Sequence, residues 1–357
     1  MSKQTQLAIL TLDFKPDFGG VQEYLYQISQ RLSSYCEVTV ITPRKGTLPS
    51  NIRFQRTTVP SASPQHFWQA LRKIQPTHVL VGHAHPRLMI AARFYGRYAT
   101  MTHGNDYLTA QKRWHHFLFN KLMAHSSPLL TNSKANAQRL TKIGLPTPTI
   151  ISPGTDPAQF SPANTPKPPK VANLLTIGRL VPRKGIDTVL QALPSLLNAF
   201  PRIRYQIGGD GPDRIRLEQL AATLKLENIV SFLGKIPSES LPDVYRQAHI
   251  FVMPTREEAG GRNIEGFGIV YLEASASGLP VIASFSGGAA EAVQDGKTGI
   301  LVPPDNPAAV AQAVTTLLQD NTLRLKMGQT GRKWIETTMN WEQTAKQIAQ
   351  ELNIYES

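Results

Sequence analysis

A chain of 357 residues with 41% hydrophobic and 18% charged residues is long enough for about two globular domains. Its one cysteine, Cys36, excludes an internal disulfide, and no apolar run approaches the ~20 residues of a membrane-spanning helix. The net charge of +13 indicates an anionic partner, namely nucleic acid, an anionic membrane surface or a phosphorylated substrate. Nucleic acid is not expected, because the basic residues are spread along the chain and no recognition motif occurs.

The first predicted element is an apolar strand at 7–12, which Asp13 and Lys15 interrupt too early for a secretion signal, so we expect a cytoplasmic protein. From there, short aliphatic runs alternate with helical patterns, which is typical of parallel sheets covered by crossover helices. Strands are predicted at 7–12, 38–41, 78–82 and 129–131 in the first half, and at 174–177, 204–207, 230–233, 250–253, 280–283 and 300–302 in the second.

These elements predict an α/β fold with two doubly wound domains of similar size and a cleft between them. The proline-rich stretch 156–170 between the halves is predicted to be a linker. We therefore expect domains at 1–160 and 161–340. The last segment, 341–357, contains a predicted helix at 341–353 that packs back on the first domain.

The loops after the strands hold the candidate binding residues, because ligands of open parallel sheets bind at the carboxyl ends of the strands. The first such loop ends in Gly19 and Gly20, just before a helix predicted from about Gln22. Paired glycines let a backbone approach a phosphate or sugar closely. Gly-Gly is also a common flexible turn, and both interpretations are open at this point.

The corresponding loop of the second half, 178–185, contains three cations, Arg179, Arg183 and Lys184, ahead of a helix predicted at 186–199. Cations near a helix N-terminus are unfavourable for the helix dipole. A bound diphosphate would neutralise them, with arginine binding phosphate oxygens bidentately and lysine acting as a point charge. Solvated surface cations are the alternative.

Two carboxylates, Glu265 and Glu273, bracket a largely apolar stretch that contains the predicted tight loop 266–268 and a helix at 269–277. Buried carboxylates need hydrogen-bond partners, and the hydroxyl groups of a sugar or ribose would serve. The loop would place both carboxylates near a helix N-terminus, where N–H groups face a ligand. In the alternative, Glu265 caps the helix and Glu273 pairs with a lysine or arginine.

Several familiar signatures are excluded by inspection. The glycines at 208–211 do not form a dinucleotide fingerprint, because Arg214 stands where its third glycine belongs. The P-loop-like end at 296–298 lacks the first glycine and is followed by a predicted strand. No Asp-x-Asp pair occurs, and His83 and His85 lack a matching carboxylate or cysteine cluster, so we expect no bound metal.

Taken in chain order, these motifs resemble those of retaining glycosyltransferases of family 4, which have the GT-B fold. The motifs are Gly19-Gly20, Gly178-Arg179 with Lys184, Gly209-Asp210-Gly211-Pro212 and the segment from Glu265 to Glu273. The resemblance covers essentially the whole chain and is strongest toward phosphatidylinositol mannosyltransferases. It implies two Rossmann-like doubly wound domains facing each other across a cleft, a nucleotide-sugar donor as co-substrate, and neither metal nor other cofactor.

The resemblance also implies residue roles. Arg179 and Lys184 would hold the donor diphosphate, Glu273 the ribose hydroxyls, and Glu265 the transferred sugar. His103 matches the family histidine near the sugar, with a structural histidine at a strand end as its alternative. The remaining donor-binding positions are Gly19, Gly20, Gly209, Lys235, Ile236, Gly266, Phe267 and Gly268.

The implied reaction moves mannose from GDP-mannose to a lipid-linked or glycan acceptor with retention of configuration. No carboxylate pair suits a double displacement, so the donor phosphate would itself accept the proton of the acceptor hydroxyl. A UDP-sugar transferase (glucosyl or N-acetylhexosaminyl), an epimerase or phosphorylase of the same fold, and a non-catalytic basic binding protein are the alternatives. Because donor residues lie in the second half and Gly20 and His103 in the first, domain closure is expected.

The acceptor side is marked by the segment 112–121, which mixes cations with aromatic residues and could rest on an anionic bilayer at the inner face of the membrane. An amphipathic core helix is the alternative. The segment 257–263 before Glu265 departs from the family pattern, and the first domain matches it only in its loops. Acceptor identity therefore does not follow from the resemblance.

Overall fold

The structure is a computed structural model, and it describes residues 5–17, 19–104, 116–163, 171–258 and 263–354. The chain forms two compact units. Unit 1 comprises Met1–Pro153 with Trp341–Ser357, and unit 2 comprises Gly154–Asn340. The division in sequence thus lies between Pro153 and Gly154, seven residues before the predicted boundary, and the chain returns to unit 1 at Trp341.

Unit 1 is built on a parallel sheet of seven strands in the order β3-β2-β1-β4-β5-β6-β7. Its strands are β1 (Gln6–Leu10), β2 (Glu37–Thr42), β3 (Gln55–Thr58), β4 (His78–Val81), β5 (Ala99–Thr102), β6 (Leu129–Thr131) and β7 (Thr149–Ile150). Its helices are α1 (Gly20–Leu32), α2 (Pro64–Ile74), α3 (Pro86–Tyr95), α4 (His116–Ala124), α5 (Lys134–Lys142) and α12 (Trp341–Glu351).

Unit 2 is built on a parallel sheet of six strands in the order β10-β9-β8-β11-β12-β13. Its strands are β8 (Ala172–Ile177), β9 (Ile203–Gly208), β10 (Val230–Gly234), β11 (Ile250–Val252), β12 (Val281–Ser284) and β13 (Gly299–Val302). Its helices are α6 (Ile186–Leu197), α7 (Arg214–Thr223), α8 (Leu241–Gln247), α9 (Ile269–Ala276), α10 (Pro307–Gln319) and α11 (Asn321–Thr337).

The ten predicted strands are all present to within about two residues, and three strands were missed. The missed strands are β3, β5 and β7, of which β3 and β7 lie at the two edges of the sheet. The polar sequence of β3 is half exposed, and β7 has only two residues. Edge strands need to bury little surface, so they lack the aliphatic run on which the prediction depended.

The last helix, α12, packs on unit 1 through aromatic and polar contacts. The Trp341 ring lies edge-on to Tyr24 of α1, with ring centroids 5.7 Å apart, and Glu342 accepts from Arg31 of α1 at 3.1 Å. Thr344 donates to the carbonyl of Ser152 at 3.0 Å. Within the described ranges, no helix combines the length and the apolar content needed to cross a bilayer.

Candidate functional site

The carboxyl edge of the sheet in unit 2 brings together loops that follow five of its six strands. The loop after β8 continues to pair with the loop after β9, since Gly178 donates to the carbonyl of Gly208 at 2.9 Å and Leu180 to that of Asp210 at 3.0 Å. Gly209 in turn donates to the carbonyl of Gly234, at the end of β10, at 2.7 Å. Backbone hydrogen bonds therefore hold these loops together.

Glycine is required where these loops touch. A Cβ atom on Gly209, whose φ is +126°, would lie 1.9 Å from the carbonyl oxygen of Gly178. A Cβ atom on Gly288, in the loop after β12, would lie 2.2 Å from the carbonyl oxygen of Gly266. Packing alone thus explains Gly209, which the sequence assigned to the donor site.

Glu265 is the centre of a buried charge cluster. Its carboxylate accepts from the Arg183 guanidinium at 2.5 Å and from the Lys184 ammonium at 2.7 Å, and only about a tenth of the Glu265 and Lys184 side chains is exposed. The helix cap that the sequence left open for Glu265 is not formed, because the residue at the N-cap of α9 is Gly268. A pairing with lysine and arginine was predicted as the alternative for Glu273, and the structure shows such a pairing at Glu265.

Burial and the neighbouring charges have opposite effects on the pKa values of Glu265 and Lys184. Burial would raise the pKa of Glu265, but the Lys184 ammonium and the Arg183 guanidinium outweigh it and hold that pKa below its ordinary value. Burial lowers the pKa of Lys184, and the Glu265 carboxylate opposes this. The carboxylate is therefore ionised at neutral pH. An ammonium has three donors, so its bond to Glu265 leaves Lys184 able to donate to a phosphate oxygen as well.

Arg256, in the loop after β11, holds the turn that carries Arg183 and Lys184. The Arg256 Nε donates to the carbonyl of Pro182 at 2.8 Å, and its backbone N–H donates to the carbonyl of Arg183 at 2.9 Å. Its guanidinium also contacts the carboxylates of Asp187 and Asp305. Arg256 was not predicted as a site residue, although its position shortly after a predicted strand of the second half was a usable signal.

Glu273 lies in α9 and is half-buried. The Tyr245 hydroxyl donates to its carboxylate at 2.7 Å. Burial, together with the nearby Glu273 carboxylate, raises the pKa of Tyr245 well above its ordinary value, so the hydroxyl stays protonated and remains a donor. Tyr245, which the sequence did not single out, thereby fixes the orientation of Glu273.

The other residues assigned to unit 2 lie at the same edge of the sheet. Arg179 and Lys235 are exposed, and Phe267 is buried. Ile236 packs over the end of β9, so that a Cβ atom on Gly208 would lie 2.4 Å from its Cδ1. Gly268 has a φ of +88° at the N-terminus of α9, where the first N–H groups have no partner within the helix.

In unit 1, the assigned residues lie at the carboxyl ends of β1 and β5. Gly19 is the N-cap residue of α1, and a Cβ atom on Gly20 would meet no atom within 4 Å, so packing does not require glycine at position 20. The His103 Nε2 donates to the carbonyl of Gly82 at 2.8 Å, and its ring lies edge-on to Tyr24, with centroids 4.9 Å apart. These contacts hold the His103 ring in one orientation.

Parts of three predicted features lie outside the described residues. They are 112–115 of the aromatic and basic segment, 164–170 of the predicted linker, and 259–262 of the segment before Glu265. Of the latter, Glu258 and Asn263 pair backbone to backbone at 3.0 and 3.2 Å. In the described part of the chain, no group of three or more His, Cys, Asp or Glu side chains is arranged to hold a metal ion.

Two protein-family models and several known proteins match the sequence of this chain. Residues 18–159 match the model of Glycosyltransferase Family 4, and residues 158–334 match that of Glycosyl transferases group 1. The chain is 31% identical to a GDP-mannose-dependent alpha-(1-6)-phosphatidylinositol monomannoside mannosyltransferase of Mycolicibacterium smegmatis, over 97% of this chain and 98% of that protein. A GDP-mannose-dependent monoacylated alpha-(1-6)-phosphatidylinositol monomannoside mannosyltransferase of Corynebacterium glutamicum is 30% identical, over 96% of this chain and 96% of that protein.

Solved structures agree on the fold. Sucrose-phosphate synthase of Thermosynechococcus elongatus superposes with a TM-score of 0.80 at 22% identity, covering 97% of this chain and 98% of that chain. Anabaena HepE in complex with UDP superposes with a TM-score of 0.83 at 19% identity, covering 98% and 99%. The two Rossmann-like units and these likenesses define the GT-B fold. The matches in sequence show that the chain is a glycosyltransferase and belongs to glycosyltransferase family 4, as its sequence motifs predicted.

Proposed function

We propose that this glycosyltransferase moves mannose from GDP-mannose to a hydroxyl group of a lipid-linked or glycan acceptor, with retention of configuration and without a metal ion. The observation that carries the choice of donor is the similarity over 97% of the chain to enzymes named as GDP-mannose-dependent mannosyltransferases. The structures bound to UDP are less than 25% identical and support the fold alone, so they give no reason to prefer a UDP-sugar.

The cation cluster supports the proposed handling of the diphosphate. Arg179 and Lys184 would bind its oxygens and stabilise the negative charge that develops on the leaving group, as a metal ion does in other enzymes. Arg256 keeps the turn of Lys184 in place, so the cation is positioned before the donor binds. Glu265 would accept hydrogen bonds from the transferred sugar, and Glu273 from the ribose.

The proposed chemistry follows from how the carboxylates are engaged. Glu265 is committed to two cations and Glu273 accepts from Tyr245, so neither is placed as a free nucleophile beside a second carboxylic acid. In the proposed reaction, the acceptor oxygen bonds to the anomeric carbon on the face from which the diphosphate departs. The donor phosphate takes the acceptor proton, and His103 would orient the sugar.

Calorimetric titration of GDP, UDP and ADP into protein treated with a chelator tests the donor and the metal independence together. We expect GDP-selective binding that is lost in Lys184→Ala and weakened in Glu273→Ala. Arg202→Ala, which removes an exposed cation of the same unit, is the matched control and should bind GDP normally. UDP selectivity would replace the mannosyl donor by a UDP-sugar. A requirement for added Mg²⁺ or Mn²⁺ would refute the metal-free mechanism.

A further inference from the structure

In the described part of unit 2, four large apolar side chains are exposed, and three of them lie at the carboxyl edge of its sheet. Ile215 is in the first turn of α7, Leu233 is near the end of β10, and Phe285 directly follows β12. The fourth, Val171, lies at the opposite edge, just before β8. The exposed apolar surface of this unit is therefore concentrated at the edge that carries the candidate donor site.

The order of the strands sets the order of the donor groups along this edge. The strands run β10-β9-β8-β11-β12-β13. The cations assigned to the diphosphate follow β8, and Glu265, assigned to the transferred sugar, follows β11. Lys235 and Ile236, which follow β10, are then left for the nucleoside. Phe285, in the loop after β12, lies on the sugar side of the diphosphate, whereas the other two exposed apolar residues of this edge lie on the nucleoside side.

The backbone around Phe285 is held on both sides. The Phe285 N–H donates to the carbonyl of Val302 on β13 at 3.1 Å, and the Gly288 N–H donates to the carbonyl of Glu265 at 3.0 Å. A Cβ atom on Gly287, whose φ is +52°, would lie 2.7 Å from the same Glu265 oxygen. The loop that presents Phe285 is thus packed directly on the backbone of the residue assigned to the sugar.

A single exposed apolar side chain is common on protein surfaces, so the exposure of Phe285, which is 58%, decides nothing alone. Its position at the binding edge and its attachment to Glu265 are what indicate a ligand. A hexose ring has hydroxyl groups around its rim and C–H groups on its faces. The hydroxyl groups suit a carboxylate, and a C–H face suits the negative face of an aromatic ring and buries apolar area against it.

We propose that the Phe285 ring stacks on a C–H face of the transferred hexose, while the Glu265 carboxylate accepts from its hydroxyl groups. This inference rests on the proposed function and adds a specificity-determining residue to the donor site. A ring that contacts the sugar, and neither the nucleoside nor the diphosphate, contributes to the binding of a nucleotide sugar but not to that of the free nucleotide. The difference between the two affinities therefore isolates the contribution of Phe285.

Calorimetric titration of GDP-mannose and of GDP, without acceptor, tests the proposal. Phe285→Ala should weaken GDP-mannose binding roughly tenfold, because the stacked area is lost, and should leave GDP affinity unchanged. Phe285→Tyr keeps the ring and should bind both ligands as the unaltered protein does. Val171→Ala is the matched control, since it trims an exposed apolar side chain at the opposite edge of the same sheet, and should change neither affinity.

Equal weakening of GDP and GDP-mannose in Phe285→Ala would overturn the proposal, since the ring would then contact the nucleotide. Unchanged GDP-mannose affinity in that variant would overturn it as well. The choice of base is tested separately by the unaltered protein. If it bound UDP and UDP-glucose instead of the guanosine ligands, the mannosyl donor would be wrong. The comparison of nucleotide sugar with free nucleotide, made with the uridine pair, would then still decide the role of Phe285.

Discussion

Replacing Glu265 by glutamine removes the negative charge from the cluster while keeping the shape of the side chain. The two cations that it neutralises, Arg183 and Lys184, then lie together in a buried site without a counter-charge. Removing one partner of a buried ion pair costs about 3 kcal/mol or more. For a domain of the size of unit 2, that lowers the melting temperature by roughly 6–12 °C. Glu336→Gln is the control, because it breaks a half-exposed pair with Arg332 and should cost less than about 1 kcal/mol.

The stability difference should depend on pH with a defined sign. The pKa of Glu265 is lower in the folded protein than its ordinary value of 4.5. The stability that its charge contributes is therefore present above pH 4.5 and is lost as the pH falls through the lowered folded pKa. Denaturant unfolding between pH 7 and pH 3 should show a gap between the unaltered protein and Glu265→Gln that closes only at the acidic end.

The same substitution should strengthen the binding of GDP. A phosphate that accepts from Lys184 would lie about 5.5 Å from the Glu265 charge, and at an effective dielectric constant of about 20 their repulsion is about 3 kcal/mol. Screening reduces this, so we expect roughly tenfold tighter GDP binding by calorimetry. Sugar transfer should nevertheless fall at least about a hundredfold, because the sugar loses its carboxylate partner. Unchanged stability together with weaker GDP binding would refute this account of the cluster.

Three further substitutions test the roles assigned to Tyr245, Gly20 and Gly209. Tyr245→Phe removes the donor to Glu273 and should weaken GDP binding several-fold. Tyr205→Phe is the control, because it removes another buried hydroxyl of unit 2. Each substitution should lower the free energy of unfolding by ~1 kcal/mol, but Tyr205→Phe should leave the calorimetric GDP affinity unchanged. Gly20→Ala should leave the melting temperature nearly unchanged, because Gly20 is the first residue of α1 and a Cβ atom there meets no neighbour, yet it should reduce transfer. Gly209→Ala should destabilise the protein as measured by thermal unfolding.

Both sheets could be predicted from the sequence because most of their central strands are buried on both faces and read as aliphatic runs. The central strand β5 was missed although it is buried, since two of its four residues are threonines that interrupt the aliphatic run. The edge strands β3 and β7 could not, since solvent replaces the packing that would demand apolar residues. The candidate site was predictable as a set of loops, because parallel topology places strand ends together. The ion pairs within the site were not predictable, because only the folded chain shows that Glu265 is the counter-ion of Lys184, 81 residues away in sequence. Tyr245 and Arg256 were missed because a single tyrosine or arginine has no local signature.

The candidate diphosphate site depends on geometry and not on net charge. Unit 2 is close to neutral, with nineteen Lys and Arg against seventeen Asp and Glu. Its Arg183 and Lys184 nevertheless lie together, paired with a carboxylate and held by Arg256, which gives a site whose affinity comes from placed hydrogen bonds. Added salt should accordingly weaken GDP binding only slightly, because exposed charges are screened over a Debye length of ~10 Å at 0.1 M and buried ones much less.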